Sequence, residues 1–239
     1  MNRENVFIGE TAENYNDMLK IYLEEVLRKE LQVNGIVSIG VSGGSMPKLI
    51  VPILLSMEGL NWKKIRLFMV DERYASLDHP DSNAGQYIKL LPPALKENVV
   101  AVDMLDSLSK TASQYDAKLR NELQPEMIGI RGPRFDLLLL GMGPDGHTAS
   151  LFPSSRLWKL PEMTVMHVED SPKPPSRRVT LSITAINNAK NVAFLITGEE
   201  KADILKSILD GEQSYPAALV KPLSGRLKFF LDKAAASKL

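Results

Sequence analysis

The sequence predicts one α/β domain built around a largely parallel β-sheet. Short apolar runs alternate with segments of helical periodicity along most of the 239 residues, which is the pattern of repeated strand–helix units. The run 135–140 is apolar almost without alternation, as expected for a central strand that is covered on both faces. No internal repeat and no shift in composition marks a boundary, so residues 1–236 are expected to form a single domain.

The individual elements follow from the same patterns in chain order. Short apolar runs predict strands at 6–8, 36–41, 65–70, 99–102, 135–140, 164–168, 179–183 and 191–197. Apolar residues at helical spacing predict helices at 15–31, 46–57, 83–91, 108–123 and 199–209. Ser82 or Asn83 can cap the third of these helices. The polar segment 74–82 is expected to be a loop, and the proline-rich segment 171–176 a stiff connector.

Composition and charge exclude several classes of protein. The 29 Lys and Arg balance 29 Asp and Glu without a polybasic block, which argues against a nucleic acid partner held by its phosphates. The absence of cysteine excludes disulfides, a thiol nucleophile and thiolate metal sites, and three histidines leave little for a metal centre. The longest strongly apolar stretch, 49–55, contains Pro52 and is far too short to span a membrane, so we expect an intracellular protein without a membrane partner.

A strand-to-helix turn, Ser42-Gly43-Gly44-Ser45, is the first candidate binding site. Glycines let backbone N–H groups approach an anion closely, hydroxyls add donors, and the helix N-terminus adds positive potential, so the turn suits a phosphate. Its spacing matches neither the P-loop nor the dinucleotide fingerprint. The alternative is a tight turn in which Ser45 caps the helix and Pro47 lies in its first turn.

Three charged residues, Asp71, Glu72 and Arg73, follow the third predicted strand. The carboxyl ends of strands line the ligand crevice in open α/β sheets. Arg73 can therefore meet an anion there, while Asp71 and Glu72 act on hydroxyls or orient cations. The alternative is a solvated charged turn.

The glycine-rich segment after the central strand is the most informative part of the sequence. It contains Gly141, Gly143 and Gly146, whose N–H groups can stabilise an oxyanion. His147 is suited to move a proton near neutral pH, and Asp145 is close enough in sequence to orient it. These residues predict a catalytic pair at this strand end. The alternative is that the glycines only make a turn and His147 caps a following helix.

Two arginines, Arg177 and Arg178, follow the proline-rich connector, and one of them can clamp a phosphate through two hydrogen bonds. The alternative is an exposed basic edge.

His79 lies in the polar loop and can face the site, whereas His167 lies on a predicted strand and is expected to be structural. No pair of histidines has convincing metal-ligand spacing, and the Gly-x-Ser-x-Gly elbow of a serine nucleophile is missing.

Taken together and in this order, these segments resemble the 6-phosphogluconolactonase family over nearly the whole chain. The most specific segment is 141–153, which reads Gly-Met-Gly-Pro-Asp-Gly-His-Thr-Ala-Ser-Leu-Phe-Pro. The weaker matches are the turn 42–45, the charged residues 71–73 with His79 and Ser82-Asn83, the segments 171–180 and 215–220, and Phe230 with Asp232.

The resemblance implies hydrolysis of 6-phospho-D-glucono-1,5-lactone to 6-phosphogluconate, the second step of the oxidative pentose phosphate pathway. It also implies a three-layer αβα sandwich with a Rossmann-like sheet. In this hypothesis His147 is the general base, Asp145 orients it, and the glycine loop with Arg73 stabilises the oxyanion. The phosphorylated sugar lactone then meets Ser42, Gly43, Gly44, Ser45, Asp71, Arg178 and Lys221. The hypothesis requires no metal or other cofactor.

Two other functions are weighed against the lactonase. Glucosamine-6-phosphate deaminases resemble this chain in fold and in an Asp-Gly-His loop, but their loop continues to a Glu that assists the histidine, and Phe152 stands at that position here. A non-catalytic sugar-phosphate sensor would keep the pocket without turnover.

Arg177 stands where related sequences often carry a non-basic residue, so the choice between Arg177 and Arg178 as phosphate ligand stays open. Tyr74-Ala75-Ser76 replaces the Val-Pro of many relatives, which leaves the position of His79 open.

The tripeptide Ser237-Lys238-Leu239 matches a peroxisomal address that is read by an import receptor. For a eukaryotic source we therefore expect a cytoplasmic enzyme that also enters peroxisomes or peroxisome-like organelles. A chance tripeptide after an alanine-rich segment is the alternative.

Overall fold

The computed structural model describes residues 3–123, 132–159 and 164–239, and it confirms the predicted α/β architecture. In these residues the strands are β1 Val6–Gly9, β2 Val37–Val41, β3 Ile65–Met69, β4 Asp71–Arg73, β5 Val99–Val100, β6 Leu137–Leu140, β7 Val165–Val168, β8 Arg178–Leu181, β9 Val192–Ile196 and β10 Leu227–Asp232. The α-helices are α1 Ala12–Val33, α2 Met46–Leu55, α3 Asn83–Leu90, α4 Leu108–Glu122, α5 Ile183–Asn187 and α6 Ala202–Leu209.

The central sheet is parallel throughout, with the strand order β1-β10-β9-β6-β2-β3-β5. Every residue of β2, β6 and β9 is buried, which explains why these strands read as continuous apolar runs. Burial of each leucine side chain in β6 contributes about 1.5–3 kcal/mol. Helix α1 packs against β1, β2 and β10, and one stripe of its residues at helical spacing is buried.

A second sheet of three antiparallel strands, in the order β4-β8-β7, follows the carboxyl end of β3. Val70 links the two sheets, because its N–H donates to the Val41 carbonyl (3.0 Å) and its carbonyl accepts from the Leu181 N–H (2.9 Å). In this small sheet Arg73 lies opposite Arg178. The strands predicted at 164–168 and 179–183 are present as β7 and β8, but they leave the parallel sheet.

Three elements were not predicted: β4, α5 and β10. Strand β10 lies between β1 and β9, yet its apolar run is interrupted by Lys228, whose ammonium group lies over the rings of Phe7 (4.9 Å) and Tyr22 (4.8 Å). The helix predicted at 199–209 begins at Ala202, because residues 199–201 form a turn of 3-10 helix. None of the described helices combines the length and apolar character that crossing a membrane requires.

Candidate active site

A cavity of about 210 Å³ opens at the carboxyl ends of the central strands. Strands β2 and β6 are neighbours, and the chain continues from β2 to β3 on one side but from β6 to β9 on the other. Open α/β sheets bind ligands where the strand order reverses in this way. Most of the sequence-predicted residues line this cavity: Ser42, Gly43, Gly44, Ser45, Asp71, Arg73, Gly141, Gly143, His147 and Arg178.

The turn between β2 and α2 forms one wall of the cavity. Ser45 stands at the N-cap position of α2, but its hydroxyl makes no capping hydrogen bond and its backbone is helical. The alternative is therefore confirmed in position, with Ser45 at the N-cap and Pro47 in the first helical turn, but the Ser45 side chain does not cap the helix. Gly44 has a φ of +68°, which favours glycine, and a Cβ atom there would meet nothing within 4 Å. The turn thus presents backbone groups and a free hydroxyl to the cavity.

The charged residues after β3 do not form a solvated turn, because Asp71 and Glu72 are 6% and 1% exposed. Asp71 lines the cavity, and its Oδ2 accepts a hydrogen bond from the Ser150 hydroxyl (2.7 Å). Glu72 accepts hydrogen bonds from the N–H groups of Asn83 (2.7 Å) and Ala84 (2.8 Å) at the start of α3. Burial raises the pKa of Glu72 although these N–H groups oppose the rise. Asp71 therefore faces the site, whereas Glu72 anchors a helix.

Two arginines reach the cavity from neighbouring strands. Arg73 donates from Nη1 to the Asp81 carbonyl (3.1 Å), and its buried Nε has no hydrogen-bond partner. Arg178 is 4% exposed and donates to Ser150 Oγ (3.3 Å) and to three carbonyl oxygens of the proline-rich connector, those of Lys173, Pro174 and Pro175. Burial lowers the pKa of Arg178, while the nearby Asp71 raises it. These neutral partners leave the positive charge of both arginines uncompensated by any direct ion pair among the described residues.

The side chains of the adjacent arginines Arg177 and Arg178 point in different directions. Arg177 points away from the cavity, where its Nε lies 3.2 Å from Glu169 Oε2 and its guanidinium lies 4.4 Å from the ring centroid of Tyr74. Arg178 lines the cavity. Only the second arginine is therefore positioned to meet a ligand there.

His147 is held on two sides. Its Nδ1 contacts the Asp145 Oδ1 at hydrogen-bonding distance, and its ring stacks on Phe152 with centroids 4.6 Å apart. Among the described residues no helix begins directly after His147; Thr148 instead forms an isolated bridge with Leu151, so the capping interpretation is wrong. Gly143 has to be glycine, because a Cβ atom there would lie 2.0 Å from the imidazole Cε1. The imidazole thus turns Nδ1 to a carboxylate and has Nε2 left for a ligand.

Burial and charge set the protonation of this pair. Burial lowers the pKa of His147 below its ordinary 6.5, although the Asp145 carboxylate opposes the change. Burial alone would raise the pKa of Asp145, but the hydrogen bond and charge of His147, together with the charge of Lys173, outweigh it and lower that pKa. At neutral pH the pair is therefore a neutral imidazole beside a carboxylate.

The prediction that three glycines offer their N–H groups to an oxyanion is wrong for Gly143 and Gly146. The Gly143 N–H donates to the His147 carbonyl (2.9 Å) and the Gly146 N–H donates to the Gly143 carbonyl (2.9 Å), so neither group is free for a ligand. Gly146 has a φ of +78° and packs against Tyr215, which explains the glycine without a catalytic role. Gly141 and Met142 line the cavity, and within the described ranges neither donates its N–H to a backbone carbonyl.

The structure places a different lysine, Lys201, at the cavity in place of the predicted Lys221. Lys221 is exposed, is absent from the cavity lining, and donates its backbone N–H to Asn187 Oδ1 (2.7 Å). Lys201 lines the cavity and donates from Nζ to the carbonyl of Thr197, which also lines it. The sequence could have indicated Lys201, because it follows the strand predicted to end at residue 197 just as Asp71 and Arg73 follow β3.

The remaining histidines lie outside the cavity. His79 is exposed, and its Nδ1 accepts a hydrogen bond from the Asp81 N–H (3.2 Å). His167 lies on β7 and does not line the cavity. Across residues 3–123, 132–159 and 164–239, no group of three His, Cys, Asp or Glu side chains is arranged to hold a metal ion.

Comparisons with known proteins agree with this geometry. The family described as glucosamine-6-phosphate isomerases/6-phosphogluconolactonase matches residues 10–229. A Caenorhabditis elegans relative, provisionally named a 6-phosphogluconolactonase, is 48% identical over 223 residues, which are 92% of this chain and 82% of the relative. The 6-phosphogluconolactonase of Homo sapiens is 40% identical over 211 residues, which are 84% of this chain and 80% of the human protein.

A solved structure extends the likeness to the whole fold. The 6-phosphogluconolactonase of Trypanosoma brucei superposes with a TM-score of 0.84 at 30% identity, and the superposition covers 98% of each chain. The family match spans most of the chain, and the human relative exceeds 30% identity over most of its length. The chain therefore belongs to the glucosamine-6-phosphate isomerase/6-phosphogluconolactonase family, in its 6-phosphogluconolactonase branch.

Proposed function

We propose that the chain hydrolyses 6-phospho-D-glucono-1,5-lactone to 6-phospho-D-gluconate, in the oxidative pentose phosphate pathway. The observation that carries the proposal is the Asp145–His147 pair at the edge of a cavity that also holds Arg73, Arg178 and the turn 42–45. A lactone hydrolase needs a general base at the carbonyl carbon, and a phosphorylated substrate needs cations at a fixed distance from that base. This cavity supplies both.

The chemical step uses the imidazole twice. His147 Nε2 takes a proton from water while the water oxygen forms a bond to the lactone carbonyl carbon, which gives a tetrahedral oxyanion. The oxyanion then collapses, the bond between that carbon and the ring oxygen breaks, and the imidazolium returns its proton to the departing oxygen. Asp145 keeps the proton of the neutral ring on Nδ1 and stabilises the imidazolium between the two transfers.

The oxyanion and the phosphate are assigned to different walls of the cavity. The N–H groups of Gly141 and Met142, with the guanidinium group of Arg73, are suited to the oxyanion. The turn from Ser42 to Ser45 and Arg178 are suited to the phosphate. Lys201 replaces Lys221 as the additional cation, and Asp71 is suited to a sugar hydroxyl. These roles are consistent with the burial and the hydrogen bonds described above.

A coupled assay tests substrate and reaction together. The lactone is generated in place from glucose 6-phosphate, and its opening is followed with and without the protein. We expect wild-type protein to accelerate opening, and His147→Ala to lose about 10²–10⁴-fold of that acceleration. His167→Ala is the matched control and should keep the wild-type rate, because His167 lies outside the cavity.

The same assay discriminates between the competing functions. Wild-type protein that does not accelerate opening would overturn the proposal, and a fully active His147→Ala would overturn the mechanism. Rapid ammonia release from glucosamine 6-phosphate would favour a deaminase. Calorimetric binding of 6-phosphogluconate without any lactonase rate would favour a sensor.

The proposal extends to location. Where Leu239 is the chain's C-terminus, Ser237-Lys238-Leu239 is proposed to direct part of a cytoplasmic pool to peroxisomes through an import receptor. The exposed Lys238, whose ammonium group lies 4.0 Å from Asp203 Oδ1, supports the accessibility of the tripeptide. A fluorescent protein fused to the N-terminus should enter peroxisomes with the tripeptide and not without it. Identical distributions would refute this part.

A further inference from the structure

Asn83, the first residue of α3, is completely buried beside the cavity, and one of its polar atoms has no partner. Its backbone N–H donates to Glu72 Oε1 (2.7 Å), and its side-chain Nδ2 donates to the Asp71 carbonyl (2.8 Å). Its Oδ1 is buried without a hydrogen-bond partner. An unpaired buried acceptor costs stability. The hydrogen bonds of Asn83 therefore do not by themselves explain why its amide oxygen is buried here.

The unpaired oxygen contacts the backbone of Gly43. A Cβ atom built on Gly43 would lie 1.8 Å from Asn83 Oδ1, and its three nearest atoms would all belong to the Asn83 amide. The amide thus fills the space that a side chain at position 43 would occupy. Gly43 lines the cavity and Asn83 does not, so the amide supports the turn from behind the cavity wall.

Hydrogen bonds to Glu72 hold Asn83 in place. The Glu72 carboxylate accepts hydrogen bonds from the N–H groups of Arg73 (2.8 Å), Asn83 (2.7 Å) and Ala84 (2.8 Å), which ties the start of α3 to β4. One turn further along α3, the Tyr87 hydroxyl donates to the Ser42 carbonyl (2.8 Å). Helix α3 therefore contacts the turn at two points, and Asn83 is the point at which it also holds the backbone of Asp71.

We infer that Asn83 is a positioning residue that sets the distance between the turn 42–45 and the wall formed by Asp71 and Arg73. The inference rests on the proposed function, because it takes that turn as the phosphate subsite. Loss of the amide would let the turn move relative to the opposite wall. Affinity for the phosphorylated substrate would fall, whereas proton transfer at His147 would not change.

The test compares Asn83→Ala with Ser82→Ala. We expect Asn83→Ala to raise KM for the lactone about tenfold while kcat stays within about threefold of wild type. Calorimetry should show weaker binding of 6-phosphogluconate and no change for gluconate, which lacks the phosphate. Ser82→Ala removes the hydroxyl that caps α3 by accepting from the Gly85 N–H (3.0 Å) and that donates to Glu72 Oε2 (3.3 Å). The N–H groups of Arg73, Asn83 and Ala84 still hold the Glu72 carboxylate, so this control should lower the free energy of unfolding without changing KM.

A double-mutant cycle tests the contact itself. Gly43→Ala should weaken binding strongly in the wild-type background, and less in the Asn83→Ala background, because the amide that the new methyl group would meet is gone. Additive effects, or an unchanged KM in Asn83→Ala, would overturn the inference.

A second variant covers a failure of Asn83→Ala to fold. Asn83→Asp keeps the shape, loses the donor to Asp71, and adds a negative charge behind the turn, so KM should rise. An unchanged KM in a folded Asn83→Asp protein also overturns the inference. Wild-type protein without lactonase activity would contradict the proposed function instead, and binding of 6-phosphogluconate would still report on Asn83.

Discussion

The two ends of the central sheet carry charge in opposite ways. At the amino ends of the strands, Lys190 lies 2.9 Å from Asp136 Oδ1 and 3.3 Å from Glu30 Oε2. Asn34 donates to both carboxylates, and the Ser38 N–H and hydroxyl donate to Asp136 Oδ2 (2.8 Å each). At the carboxyl ends, Arg73 and Arg178 have carbonyl and hydroxyl partners, without an ion pair among the described residues.

The difference separates stability from function. A buried charge that is fully paired within the protein has nothing left to offer a ligand, but its loss leaves an uncompensated partner and is costly. A buried charge held by neutral dipoles keeps its attraction for an anion. We therefore expect substitutions at the amino ends to change the free energy of unfolding, and substitutions at the carboxyl ends to change kcat or KM.

The largest expected effect is at Asp145. Asp145→Asn replaces the carboxylate that fixes the imidazole tautomer by a neutral amide, whose NH2 group can stabilise the other tautomer, so kcat should fall by up to about 10⁴-fold. It also removes a charge that raises the pKa of His147, so the acidic limb of the pH–rate profile should move to lower pH. Asp103→Asn is the control, because Asp103 pairs with Lys118 outside the cavity. A wild-type profile for Asp145→Asn would remove Asp145 from the mechanism.

Lys190→Met should have the next largest effect, on stability alone. It leaves the Glu30 and Asp136 carboxylates without their shared cation, which should cost about 3–5 kcal/mol in denaturant-induced unfolding. The control Lys206→Met breaks an exposed pair with Asp210 and should cost no more than about 0.5 kcal/mol. KM should be unchanged in both variants. A raised KM in Lys190→Met would contradict the assignment of stability to the amino ends of the strands and of substrate binding to their carboxyl ends.

Arg178→Lys tests the carboxyl end. A lysine cannot reproduce the fork that contacts the Lys173 and Pro174 carbonyls and Ser150, so KM should rise about 10- to 100-fold. Arg177→Lys is the matched control on the adjacent residue, and its KM should equal that of wild type. Equal effects of the two substitutions would contradict the assignment of Arg178 to the cavity.

Phe152→Leu should have the smallest effect. The ring of Phe152 stacks on His147 and lies 5.6 Å from the Arg178 guanidinium. Loss of the stacking should lower kcat by less than about tenfold, since an aromatic pair contributes about 0.5–1.5 kcal/mol. Phe68→Leu, which breaks a buried contact with Phe135 away from the cavity, should lower stability without changing kcat. A larger loss of kcat in Phe68→Leu than in Phe152→Leu would contradict this role of stacking.

The strand ends could be predicted from the sequence because they depend on local patterns. Apolar runs followed by Gly or charged residues identified the turn 42–45, the segment 71–73 and the loop with His147, and parallel strands bring such ends to one edge. The folding of each loop could not be predicted in this way. Gly143 and Gly146 use their N–H groups inside the loop, which depends on backbone turns that the glycines permit but do not specify.

The residues that were missed or misplaced depend on long-range packing. Lys221 and Lys201 both follow apolar segments, and only the tertiary arrangement turns one into the cavity and leaves the other exposed. Strand β10 was missed because Lys228 interrupts its apolar run, although the Lys228 ammonium group lies over two aromatic rings. Asn83 showed no signal beyond a capping position, because its role depends on contact with Gly43, forty residues earlier.

The proposed mechanism requires that His147 acts as a neutral base, with a pKa that is lowered by burial. The direct measurement is the pH dependence of kcat/KM beside an NMR titration of the His147 imidazole in the free protein. We predict one shared pKa below the ordinary 6.5, with kcat/KM rising as the imidazole loses its proton. An imidazole that titrates above 6.5, or a kcat/KM that does not follow its titration, would contradict the account.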